Sequence, residues 1–319
     1  MRTLAIVLAI GSASVGALAG AHQQPPIDTE VYLASWPGQG VAISAVTNIS
    51  NDPEYDNQPS FTSDSRAVLF TSKRDGKHTD IYRYDIASRA LTQLTHTPES
   101  EYSPLVTPDG KTFSVVRVEA DGTQRLWRFD LDGSNPRLVL ENVKPVGYHA
   151  WIDATHLALF VLGAQGQPAT LQIADTMTGK AEIVATNIGR SLGVRPGTSP
   201  PRVTFVNKSV KPWPLSEINP GTRASEAIAP LSEGSAGATA EDYAWDPSAD
   251  RGQFLVAWGT TIMANAPSSP SSTGARAWRR VADLSTNGLK SITRLAVSPD
   301  AKWIAFVAQP AKSAVARRP

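Results

Sequence analysis

The chain of 319 residues contains no cysteine. Disulfides, thiolate zinc sites, cysteine nucleophiles and lipid attachment through a lipoprotein cysteine are therefore excluded. Charge is sparse and balanced. Thirty Lys and Arg stand against 29 Asp and Glu, and charged residues make up 18% of the chain, below the ordinary level of about 25%. A chain so near neutrality has no general electrostatic attraction for nucleic acid or an anionic membrane. Beyond the first 20 residues no apolar run is long enough to span a bilayer. The pattern G-x-S-x-G occurs once, at Gly189-Arg190-Ser191-Leu192-Gly193, where a strand is expected and not the strand-to-helix turn of a nucleophile elbow; the zinc motif H-E-x-x-H, the phosphate loop G-x-x-x-x-G-K and the dinucleotide fingerprint are missing. What remains is a chain that is 41% hydrophobic, with 23 Gly and 24 Pro: enough apolar residues for a sizeable core, divided by many turns.

The residues that invite a catalytic or metal reading have simpler explanations. Only five histidines occur: His22, His78, His96, His149 and His156. His78 and His96 fall in expected inter-strand loops. His149 and His156 flank an expected turn without the convergent carboxylates or imidazoles that metal ligation needs. Asp75-Gly76 and Asp121-Gly122 look like fragments of calcium loops. A hard cation takes roughly six to eight oxygens, which single Asp-Gly pairs do not supply, so they read as turns. No metal or other cofactor is expected.

The N-terminus is an address. Met1-Arg2-Thr3 is a short positive start, Leu4 to Val15 is apolar, and Ala17-Leu18-Ala19 and Ala19-Gly20-Ala21 both offer A-x-A cleavage sites. This is the pattern of a secretory signal peptide. Residues 1–21 are expected to be removed, leaving a periplasmic or secreted protein that starts near His22.

A repeat organises the rest. Pro59-Ser60-Phe61-Thr62-Ser63-Asp64 is echoed by Pro104-Leu105-Val106-Thr107-Pro108-Asp109 and by Leu295-Ala296-Val297-Ser298-Pro299-Asp300, with weaker copies at Ala150-Trp151-Ile152-Asp153 and Ala244-Trp245-Asp246. Asp64, Asp109 and Asp153 are 45 and 44 residues apart. Each unit reads as four short strands joined by turns, rich in β-branched and aromatic residues. Units of about 40–45 residues with four strands are the size of propeller blades. Five continuous blades are expected at 57–96, 101–141, 147–186, 190–231 and 241–285. The chain ends on two strands, over 292–309, and begins with two, at Glu30-Val31-Tyr32-Leu33-Ala34 and from Ala42 to Ile49. The two halves complement each other, so the N-terminal strands are expected to complete a sixth blade and cover its open edge. The expectation is an all-β, six-bladed propeller over residues 22–310. Ala266–Arg276, rich in Pro and Ser, should be a mobile surface loop, and residues 311–319 a disordered tail.

The repeat resembles the WD-like repeats of TolB-type propellers. The resemblance is carried by Tyr55-Asp56-Asn57-Gln58-Pro59-Ser60-Phe61-Thr62-Ser63-Asp64, then Leu69-Phe70-Thr71-Ser72-Lys73-Arg74-Asp75-Gly76, Asp80-Ile81-Tyr82-Arg83-Tyr84-Asp85 and Gln93-Leu94-Thr95. It extends by spacing over about residues 30–309. In that family the propeller is a binding platform with no catalytic group of its own, and in TolB itself it follows an α/β domain. Here the repeats begin almost directly after the N-terminal address. The resemblance implies a monomeric module with a protein or peptide partner in the cell envelope.

In a propeller the first strand of each blade lines the central channel, and the residues just before it lie at one mouth. Aligning the six starts brings Asn57-Gln58, Tyr102-Ser103, Tyr148-His149, Arg190-Ser191, Glu241-Asp242 and Thr293-Arg294 to that mouth. The partner-binding candidates are Gln58, Tyr102, Tyr148, His149, Arg190, Glu241, Asp242 and Arg294. Tyr148 is the expected anchor, and Tyr148→Ala with Arg294→Ala is expected to weaken capture at little cost to stability, because rim side chains make few core contacts. Two other functions fit the same architecture: a carbohydrate-active or other small-molecule enzyme built on the channel, and a structural module of an envelope complex.

Overall fold

Four-stranded sheets stacked face to face leave their inner strands covered on both sides, so those strands need not alternate. The second strand of each repeat shows this. Ala67–Ser72 is buried at every residue, and Thr112–Val118 and His156–Val161 at all but one. The fourth strands, such as Lys180–Thr186 and Ser225–Pro230, are mostly exposed, as an outer edge requires.

The computed structural model describes residues 28–36, 43–232, 240–248, 252–267 and 276–311. The expected signal segment, the expected tail beyond Ala311 and the middle of the Pro/Ser-rich loop lie outside the described residues. Six antiparallel four-stranded sheets make up the fold. Five are continuous in sequence, at 56–93, 100–138, 146–186, 188–230 and 243–283, each within a few residues of its expected span. The sixth has the strand order Ser44–Asn48, Glu30–Ser35, Trp303–Pro310, Leu289–Val297 from outside to inside. The N-terminal strands thus close the last blade. Glu30 pairs with Ala308, Tyr32 with Phe306 and Ser35 with Trp303. The fourth blade, blurred in sequence by its prolines, is complete. Pro214 opens its third strand and Pro196, Pro200, Pro201 and Pro212 lie in connections, where no ladder donor is needed.

The core is divided among the blade interfaces. Six apolar clusters each join two neighbouring blades: Val31 and Leu33 with Val68 and Phe70; Leu69 and Ile81 with Phe113 and Phe129; Val116 and Leu126 with Val146 and Leu157; Ala158 and Leu171 with Val203 and Phe205; Val206 and Leu215 with Phe254 and Val256; Leu255 and Ile262 with Ile304 and Phe306. Six blades with six such seams form a closed ring.

The repeated aspartates organise the turn between first and second strands. Asp64, Asp109 and Asp300 accept hydrogen bonds from the hydroxyls of Thr62, Thr107 and Ser298 at 2.7, 2.6 and 2.7 Å. The same carboxylates accept the backbone N–H two residues on, from Arg66, Lys111 and Lys302. Asp75 and Asp121 do the equivalent work in the next connections, accepting N–H bonds from Lys77, His78 and Thr123. These are Asx turns, as expected.

Candidate functional site

The first strand of each repeat does not run straight to the mouth. In three blades its pairing with the second strand shifts register between Asn57 and Ser60, Tyr102 and Leu105, and Thr293 and Ala296. At these bulges Gln58, Ser103 and Arg294 occupy the same place in the repeat and take φ of 56°, 54° and 52°, a left-handed backbone uncommon for residues other than glycine. The bulge re-aims the strand and frees backbone groups for other partners. Gln58 uses one of them: its side-chain oxygen accepts the Ser103 N–H at 3.0 Å and the Thr71 hydroxyl at 3.1 Å, tying the first blade to the second. In the third and fourth blades a glycine occupies the corresponding bend. A β-carbon on Gly147 would meet the Phe160 ring at 2.9 Å, and one on Gly189 would meet Val206 at 2.8 Å, so beside Tyr148 and Arg190 the first strand packs too closely on the second for a side chain to enter without a shift.

These starts surround a cavity of about 820 Å³, lined from the first, second, third, fourth and sixth blades. Tyr55, Gln58, Tyr102, Tyr148, Arg190 and Arg294 all contribute. A smaller cavity of about 270 Å³ adjoins it through Arg190, Ser291 and Thr293 and is lined by Glu241 and Asp242 of the fifth blade. All six blades therefore contribute to one mouth.

An ionic bar crosses the channel. Arg294, from the sixth blade, donates to the Tyr148 hydroxyl of the third at 2.7 Å, and its guanidinium lies 4.7 Å from the Tyr148 ring centre. These blades face each other across a six-membered ring, so the contact spans the axis. Asp242 completes the network. It accepts from Arg190 Nε at 3.1 Å and Nη2 at 2.8 Å, and Arg294 Nη1 lies 3.4 Å away. Burial alone would raise the Asp242 carboxyl, but Arg294 and Arg190 overcome it and hold it at about 2. Burial opposes the charge on Arg190, while Asp242 holds its guanidinium well above the ordinary range. Beside this network Lys208 pairs with Glu241 at 2.7 Å and lies over the Trp213 ring. Tyr55 and Tyr102 meet edge to face at 6.5 Å, and burial pushes the Tyr55 phenol above its ordinary value.

Seven of the eight candidates are thus gathered at the mouth or in the adjoining cavity. His149 is not. It turns into the seam between the second and third blades, 5% exposed, with Nε2 2.7 Å from the Ser114 hydroxyl. Burial lowers its imidazole to about 3, so it is a neutral core residue. The strand period explains the displacement: Tyr148 and His149 are successive residues, and successive side chains point to opposite sides. Arg294 also differs from the expected loosely solvated rim residue, because its ion pair with buried Asp242 makes it structural. Tyr55 and Ser291 were not singled out in sequence. They stand outside the aligned pairs: Ser291 lies within a register shift of the last blade's first strand, and Tyr55 just before the first blade begins. Among the described residues no group of three or more His, Asp or Glu is arranged to hold a metal ion, and no helix is long and apolar enough to cross a membrane.

Closed blades, a composite last sheet and a polar, aromatic mouth define a six-bladed β-propeller. Its fold is that of TolB-type propellers. The chain superposes on a protein assigned as TolB from Agrobacterium tumefaciens with a TM-score of 0.62 at 13% identity, over 88% of this chain and 98% of that one. TolB from Acinetobacter baumannii gives 0.55 at 11% identity, with 88% of this chain matched to 64% of that protein. An oligogalacturonate lyase from Vibrio parahaemolyticus gives 0.51 at 14%, over 89% and 98%. At such identities the likeness is one of fold. No protein-family model matches the chain.

Proposed function

We propose that this protein is an exported, non-catalytic propeller that captures a protein or peptide partner at the mouth ringed by Tyr102, Tyr148, Arg190, Asp242 and Arg294. The observation that carries the reading is the composition of that mouth. Tyrosine and arginine are the side chains that dominate binding energy at protein interfaces, and here they are concentrated in a cavity assembled from separate blades and held by the Arg190–Asp242–Arg294 network. Export is supported by the apolar run from Leu4 to Val15 and the small-residue cleavage sites after it. The likeness to TolB structures supports a protein partner in the cell envelope, and the composite blade, which pairs the strands at the two ends of the ring within one chain, supports a monomer.

Two substitutions test the reading without breaking the ion network. Tyr102→Ala removes an aromatic wall, and Thr293→Trp fills the mouth at a residue shared by both cavities. In pull-downs from envelope and secreted fractions, each variant should capture the partner at least about tenfold less well than the wild type, the equivalent of losing about 1.4 kcal/mol. Melting temperatures should stay close to wild type. Equal capture by wild type and both variants would remove the mouth as the binding site. Turnover of an oligosaccharide, lost in the same variants, would favour the channel-based enzyme instead.

A further inference from the structure

The mouth has a net sign. The charged side chains on the lining of the larger cavity are Arg190 and Arg294. The carboxylate that faces them, Asp242, is a single negative charge shared between the two guanidinium groups. The other cation nearby, Lys208, is neutralised by Glu241. The balance is one positive charge in excess. It is set where water screens poorly, since the side chains of Asp242 and Arg294 are 8% and 13% exposed.

The donors are left over as well. A guanidinium has five N–H donors in a rigid fork. Arg190 uses Nε and Nη2 on Asp242, and Arg294 uses Nη2 on Tyr148 and directs Nη1 at Asp242. Asp242 and the Tyr148 ring hold both guanidinium groups in place, so little ordering remains to be done on binding. The N–H groups left over, on Nη1 of Arg190 and Nε of Arg294 among others, are charged donors whose matching acceptor is a carboxylate. The excess of one charge matches a monoanion, whereas a dianion would bring a second negative charge next to buried Asp242. The walls beside the fork are aromatic, with Tyr55 and Tyr102 in edge-to-face contact and Tyr148 against Arg294, surfaces suited to the side chain next to the carboxylate.

We infer that the mouth selects a carboxylate-bearing peptide segment, with the carboxylate on Arg190 and Arg294 and its neighbouring side chain against the tyrosines. This rests on the reading that the mouth binds a protein or peptide. The carboxylate can come from a peptide C-terminus or from an Asp or Glu side chain.

Three random nonapeptide libraries separate the possibilities when panned on the purified protein. The first has a free C-terminus and no Asp or Glu. The second is C-terminally amidated and contains both acids. The third is amidated and contains neither. Enrichment confined to the first assigns the site to an α-carboxylate, and enrichment confined to the second assigns it to an acidic side chain; either supports the inference. The affinity of the enriched peptide, measured by calorimetry, should fall at least about tenfold in Arg190→Gln and rise in Asp242→Asn, which removes the competing negative charge. Wild-type affinity should also fall with added salt, a readout that needs no variant to fold. Peptides of the third library that bind as tightly, and are displaced by Thr293→Trp, would overturn the carboxylate while leaving the mouth as a peptide site. If no library is enriched, or if only an oligouronate binds, the inference and the reading beneath it both fail.

Discussion

Asp56 and Glu101 occupy the same place in successive repeats, each one residue before a pair that forms the mouth. Both are fully buried. Neither oxygen of Asp56 has a hydrogen-bond partner, and Oε2 of Glu101 has none. Burial raises each carboxyl to about 7, against ordinary values near 4. The folded state therefore holds protons that the unfolded chain releases. Their contribution to stability is complete below about pH 4 and is lost as the pH rises through 7. Buried His149 acts in the opposite sense. Its folded value of about 3 lies below the unfolded 6.5, so its contribution is complete above 6.5 and is lost as the pH falls. The two effects overlap between about pH 4 and 6.5 and flatten the wild-type profile. Variants separate them. Asp56→Asn should raise stability relative to wild type at pH 8, by on the order of 1–3 kcal/mol, and the advantage should shrink steadily towards pH 4, while Glu101 is left in place because its Oε1 lies 3.3 Å from Arg117 Nε. Denaturant unfolding at several pH values provides the check, and an advantage independent of pH would contradict the assignment. None of this was legible in the sequence. Asp56 and Glu101 look like ordinary strand-start acids until the ring closes and covers them.

At the scale of the element, the repeat was legible and the bulge was not. Strand positions followed from apolar and β-branched alternation, and the turns from Asp64, Asp109 and Asp300, because those signals are local. A register shift leaves at most a faint local mark. Asn57-Gln58-Pro59 and Tyr102-Ser103-Pro104 read as plain strand, yet the proline that follows each left-handed residue lacks the N–H that an unbroken ladder would need. Ordinary strand alternation turns His149 into the seam, and the bulges set the left-handed backbone at Gln58, Ser103 and Arg294. They also predict a specific cost. Gln58 holds the Ser103 N–H freed by the second bulge. Gln58→Ala leaves that donor without its partner and should destabilise the fold by about 1–3 kcal/mol. Gln58→Glu keeps an acceptor and should lose much less. Equal losses in the two variants, measured by chemical denaturation, would show that the bulge is held by something else.

At the scale of the whole molecule, closure depends on the strand Glu30–Ser35. It pairs with Trp303–Pro310 along its full length, stacks Tyr32 on Phe306 with ring centres 5.7 Å apart, and fills two of the six seams with Val31, Leu33 and Ala34. Trp36, just beyond it, is 1% exposed and donates to Asp246 of the fifth blade at 3.3 Å. The complementary half-blades at the two ends make this pairing readable in the sequence, since an unpaired final strand is an open edge. Deleting residues 22–50 should expose that edge and two apolar seams, producing aggregation or a large fall in melting temperature. A variant that remained monomeric with unchanged melting would contradict the composite blade.

The same closure brings Tyr148, Arg190, Asp242 and Arg294, from four blades, into contact around one axis. Use of that assembled mouth for capture is the central claim, and site-specific photo-crosslinking in the native compartment tests it most directly. A photoreactive phenylalanine derivative at Tyr102 lines the cavity, whereas one at Lys111 lies at a turn on the opposite end of the same blade. A discrete partner adduct from position 102, absent from position 111 and lost when Thr293→Trp is added, is the predicted result. Adducts from position 111 alone, or from both positions regardless of Thr293→Trp, would place binding elsewhere on the propeller.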